Sequence, residues 1–200
     1  MSRHGECAIM KLAHAITLAI ALTGLAACEP SDPNNASDNA SVALLDAAEQ
    51  GDLNALDQLL AQHRQPDVRD SCDWTPLMKA ALYGHTPVVA RLLDAGASLD
   101  AVDKGGYTAM MLAASNNHAA AVELLLQRGA MVDHQESTEG WTALIWAAKQ
   151  GHAKSVESLL RHRADPTLKD FGGKTAMDWA SEGGYAEVQR LLQSADHQRQ

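Results

Sequence analysis

Aromatic residues are scarce in this chain: one Phe, three Tyr and four Trp in 200 residues, or 4 %. A core built on large rings is therefore excluded, and Ala, Leu and Val must do most of the packing. Apolar residues make up 46 % of the chain, enough for a sizeable core, and small or straight-chain residues favour helices over strands. Basic residues are outnumbered, 16 Lys and Arg against 25 Asp and Glu, for a net charge of −9. The basic footprint of a nucleic-acid binder is missing. Three cysteines, at positions 7, 28 and 72, are too few for a disulfide framework. HExxH, CxxC and G-x-S-x-G are absent, and no glycine-rich phosphate loop follows a strand. No catalytic residue, metal site or cofactor is expected. Long apolar runs are lacking too. A membrane-spanning helix needs about 20 apolar residues, whereas the stretch Leu12 to Ala27 is shorter and interrupted by His14, Thr17, Thr23 and Gly24.

That short run, preceded by Arg3 and Lys11, reads as a secretory signal peptide starting at Met1 or Met10. It ends in "LAAC", Leu25 to Cys28, which resembles the signal of bacterial lipoproteins. The resemblance implies a diacylglyceryl group on the Cys28 thiol, cleavage before Cys28 and acylation of the new amino group. Two or more acyl chains make a stable tether where one is marginal. By the sorting rule of that family, Glu29 in place of Asp directs the protein to the outer membrane, facing the periplasm. The alternatives are a simple cleaved signal with a chance cysteine, or an uncleaved anchor. Residues 29–40, "EPSDPNNASDNA", are polar and lack periodicity, so 28–40 is expected to be a flexible linker.

From residue 41 the chain repeats. Thr75, Thr108, Thr142 and Thr175 recur every 33 or 34 residues. Ala80-Ala81, Ala113-Ala114, Ala147-Ala148 and Ala180 keep step, as do Gly51, Gly84, Asn117, Gly151 and Gly184. "VVARLL", "AVELLL", "SVESLL" and "EVQRLL" follow. This period and layout resemble the ankyrin repeat, over about four fifths of the chain. The resemblance implies an all-α solenoid of about five helix-turn-helix repeats joined by hairpin tips, here 41–69, 70–102, 103–135, 136–169 and 170–200. Physical reasons support the landmarks. Thr75 can cap a first helix and Pro76 suits its first position; paired alanines allow close helix approach; Gly84 allows a left-handed exit. One repeat cannot bury its apolar face alone, but stacked neighbours can.

The sequence departs from the family pattern at the position of a turn-bonding His, held here by Met78, Met111, Ile145 and Asp178. More reliance on apolar packing is expected, with Asp178 a solvated capping residue. Asp73 takes a turn Gly's place, which Asp tolerates better than most residues. His85, His118 and His152 recur after each inter-helix turn. Stacked repeats would set them about 10 Å apart, a helix-packing distance too wide for one metal, so a structural role is expected.

The residue before each repeat's Thr is Trp74, Tyr107, Trp141 and Lys174. In ankyrin proteins this position lies on the concave side near the hairpin tips. The three rings and Lys174, with Tyr83 at a first-helix end, are the candidate partner-binding residues; the competing reading is that the rings merely cover the turn below them. Trp146 and Trp179 are expected to pack between repeats. Cys72 falls at a hairpin tip and reads as an exposed surface cysteine, with a redox-sensitive or intermolecular thiol as the alternative. The whole points to a non-enzymatic, monomeric protein-binding module tethered to a membrane through Cys28. An immunity protein that neutralises a toxin is the second reading, and a redox or enzyme accessory using Cys72 the third.

Overall fold

The computed structural model describes residues 36–198, apart from Arg64. The signal region 1–27, Cys28 and the linker up to residue 35 lie outside the described residues. Among the described residues ten helices follow one another: α1 (Ala36–Gln50), α2 (Leu53–His63), α3 (Pro76–Leu82), α4 (Thr86–Asp94), α5 (Ala109–Ser115), α6 (Ala119–Gln127), α7 (Ala143–Lys149), α8 (Ala153–Arg161), α9 (Ala176–Glu182) and α10 (Ala186–Gln198). Each odd helix packs against the even helix that follows it. The odd helices also stack on one another in chain order, and so do the even ones. Five helix pairs thus form two layers, an all-α solenoid.

Helix α1 begins at Ala36, inside the stretch expected to be linker. Pro33 is the last proline before it, so from there on nothing in the sequence prevents a helix from running back from its apolar anchors.

The short first helices begin on their threonines. The side-chain oxygens of Thr75, Thr108 and Thr142 accept from the backbone N–H groups of Met78, Met111 and Ile145 at 3.3, 3.3 and 3.2 Å. Such a cap is worth about 1 kcal/mol to a helix of two turns. Thr175 accepts likewise from Asp178 N–H at 3.3 Å, and Asp178 answers by accepting from the Thr175 backbone N–H at 2.8 Å. Asp178 is thus one half of a capping box and exposed, the solvated capping residue expected. Its carboxyl is held below the usual carboxylate range, first by the Thr175 backbone bond. At the other three positions Met78, Met111 and Ile145 are buried, the apolar packing expected where the turn His is missing.

The turn after α3 needs the left-handed backbone, and Gly84 takes it with φ of 74°. A Cβ there would lie 2.3 Å from His118 Nδ1, so the close approach of the next repeat's imidazole requires glycine twice over. The His rings are structural ties. His85 Nε2 lies 3.0 Å from Glu49 O, and His152 Nε2 3.1 Å from Ser115 O. A carbonyl only accepts, so Nε2 carries the proton in both. Burial lowers the pKa of His118 and of His152, against the pull of backbone bonds to Leu82 and Ser115 respectively.

The core runs unbroken along the stack. Leu56, Leu92, Leu125, Leu159 and Leu192, one from each even helix, are all at most 1 % exposed. The hairpins add a polar ladder. Lys104 N–H donates to Cys72 O at 3.3 Å, Ser137 N–H to Gly105 O at 2.9 Å, and Phe171 N–H to Glu139 O at 2.9 Å. A second ladder joins the connections behind the hairpins. Asp67, Asp100 and Asp133 accept from the backbone N–H groups of Ser98, Met131 and Asp165, each at 2.9 Å.

Candidate functional site

The hairpins and first helices together form one face. Each hairpin is pinned by a carboxylate at its base. Asp70, Asp103, Glu136 and Asp170 accept from the backbone N–H groups of Trp74, Tyr107, Trp141 and Lys174 at 3.0, 2.9, 3.0 and 2.8 Å. Sequence reasoning passed over these carboxylates, although they recur every 33 or 34 residues, four positions or five before the residue they hold. Asp103 and Asp170 also reach back to the previous hairpin. Trp74 Nε1–H donates to Asp103 Oδ2 at 2.9 Å, and Trp141 Nε1–H to Asp170 Oδ2 at 3.0 Å.

This second set of bonds decides the fate of the expected aromatic ladder. Trp74 is fully buried and Tyr107 is 4 % exposed, so neither ring offers a surface to a partner. The reason is the stacking itself: each hairpin lies over the ring of the hairpin before it. Tyr107 reaches Thr138 Oγ1 through its hydroxyl at 3.1 Å, and burial pushes its pKa up to about 12. Here the rings cover the turn, the competing reading. Trp141 is half-buried. Tyr83 is exposed as expected, with its hydroxyl 3.3 Å from Glu49 Oε1 and its ring stacked on His85. Lys174 is partly exposed and ion-paired to Glu182 at 2.7 Å.

Around Trp141 the structure gathers residues that the sequence left apart. Trp146 is nine-tenths buried and packs edge-on against Trp141 at 4.5 Å between ring centroids, with Tyr107 6.1 Å away. It packs between repeats as expected, and its Nε1–H has no partner among the described residues. Trp179 is half-buried, stands at 79° to Trp141, and donates from Nε1 to the same Asp170 oxygen at 2.9 Å. Burial alone would raise the Asp170 carboxyl, but bonds from the Lys174 backbone and both indoles prevail and lower it. Asp103, with one indole, goes the other way: burial outweighs its bonds from Tyr107, Gly105 and Trp74 and raises it.

Lys149 was missed by sequence reasoning. Its Nζ sits 3.4 Å from the Trp179 ring centroid and 4.5 Å from that of Trp141. Its register in the first helix, three residues beyond Trp146, was the available signal. Phe171, also missed, is the one phenylalanine of the chain and is 68 % exposed at the tip of the last hairpin.

Cys72 is half-buried and packs against the core, which corrects its reading as an exposed surface cysteine. Cys28 lies outside the described residues. Among the described residues no group of three His, Cys, Asp or Glu side chains could hold a metal ion, and no helix is long and apolar enough to cross a membrane.

Comparison with curated proteins found no match. The family model for ankyrin repeats (3 copies) matches residues 44–136 and 131–200. With capped short helices, left-handed glycine exits and hairpins tied in register along that same span, the chain belongs to the ankyrin repeat family.

Proposed function

We propose that this protein is a non-enzymatic binding module that holds a partner protein on its hairpin and first-helix face while tethered by lipid at Cys28. The family it belongs to is typically non-catalytic and serves protein–protein interaction. The observation that carries the reading is the open part of that face. Tyr83, Trp141, Trp179, Lys149, Lys174 and Phe171 are exposed or half-buried there, on a scaffold in which Trp74, Tyr107 and Trp146 are locked inside. Trp and Tyr are enriched among interface hot spots, and repeat stacks present extended binding surfaces. The tether rests on "LAAC" behind a short apolar run, and Glu29 favours the outer membrane, facing the periplasm.

Two experiments test this reading. Mass spectrometry of the non-reduced N-terminal peptide should show a chain that begins at Cys28 and carries acyl groups. A different N-terminus, or Cys28 held in a disulfide, contradicts the tether. Affinity capture from envelope extracts, followed by calorimetry with the purified partner, should give binding that weakens on Tyr83→Ala. A captured toxin would select the immunity reading over scaffolding.

A further inference from the structure

One corner of the face already holds a cation. The Trp141 and Trp179 rings lie 5.7 Å apart at 79° and make two walls. Their indole N–H groups are tied to Asp170 Oδ2 at 3.0 and 2.9 Å, which fixes both rings, and Trp146 braces Trp141 from the side. Lys149 Nζ occupies the angle between the walls. Rings arranged around a cation hold it through their electron-rich faces.

Lys149 is a loosely held occupant. It makes no ion pair among the described residues, whereas Lys174, 4.2 Å from the Trp179 centroid, is clamped by Glu182. Burial and the charge of Lys174 both lower the Lys149 pKa, against the pull of Glu182, Asp170 and Glu139. The corner thus faces three carboxylates on a chain of net charge −9, a setting that draws in a positive group. A four-carbon stem lets Lys149 swing out without moving the helix.

We propose that this corner is a seat for a basic side chain, Lys or Arg, of the protein partner, and that Lys149 is a resident stand-in displaced on binding. The proposal rests on the reading of the chain as a protein-binding module and adds the chemistry of the contact.

The test is a tryptophan-fluorescence titration of the full-length chain with two probes, tetramethylammonium and the peptide Gly-Lys-Gly with blocked ends. Lys149→Ala should bind both saturably and at least tenfold more tightly than the wild type. Adding Trp179→Leu, which leaves the charge unchanged, should abolish binding and so separate the corner from the general acidic field. If that double variant fails to fold, Lys149→Arg serves instead: it refills the seat and should bind as weakly as the wild type. Equal affinity of wild type and Lys149→Ala, or binding that survives loss of Trp179, overturns the proposal. Binding of tetramethylammonium without the lysyl peptide overturns the protein side chain as occupant. The titration contains no partner, so its failure leaves partner capture untouched; loss of capture with an intact titration would strike the proposed function instead.

Discussion

Trp74 shows how one residue can look like a binding group and be a structural one. Its position before the repeat threonine points to the groove, yet its indole is enclosed and donates to Asp103. Replacing it with Phe keeps most of the apolar contact but leaves the Asp103 carboxylate short of a donor inside the stack. An orphaned buried group of this kind costs about 1–3 kcal/mol. Trp74→Phe should therefore lower the unfolding free energy obtained from urea melts by an amount in that range, while Tyr83→Ala, at an exposed ring, should leave it nearly unchanged. The sequence could not separate these two positions. Both are aromatic residues at family contact positions, and what divides them is the next hairpin, 29 residues on, whose carboxylate reaches one and not the other.

At the scale of the element, the repeat was legible because local chemistry and period agree. Threonine caps, paired alanines and the left-handed residues of the turns announced each helix pair, and the helices stand where those landmarks put them. Asp73, with φ of 64°, does take the place of a turn glycine. The start of α1 was less legible, since its first turn is polar and shows no apolar face. Even helices depend on burial between repeats. Leu125 is fully buried in α6, and Leu125→Ala should cost roughly 2–5 kcal/mol through lost transfer energy and the cavity left behind, measured by chemical denaturation. The histidine ties predict a pH dependence. His118 and His152 bind protons less readily in the fold than at their ordinary value of 6.5. Below that pH the unfolded chain binds more protons, so stability falls as the solution is acidified, until both states are charged. Melting temperature should decline from pH 6.5 downward, and the decline should be shallower in His118→Gln.

The molecule as a whole is a one-dimensional stack, and its stability should behave as a sum over neighbours. Residues 170–200 close one end: Asp170 holds the Trp141 indole, and Val188 and Leu192 are buried against the layers before them. Deleting 170–200 should expose the apolar side of the fourth repeat and make the protein aggregate, as seen by comparing the truncated and intact chains in size-exclusion chromatography. Identity of the partner was never written in the repeat pattern, because the pattern specifies burial between units and leaves the open face unconstrained. We propose that this open face, not the enclosed hairpin rings, binds the partner. Calorimetry with the captured partner on the Tyr83→Ala/Trp179→Leu double variant tests it most directly. Two independent hot spots of about 2 kcal/mol each would weaken binding about a thousandfold, with the fold intact by circular dichroism; unchanged affinity in a folded double variant would contradict the account.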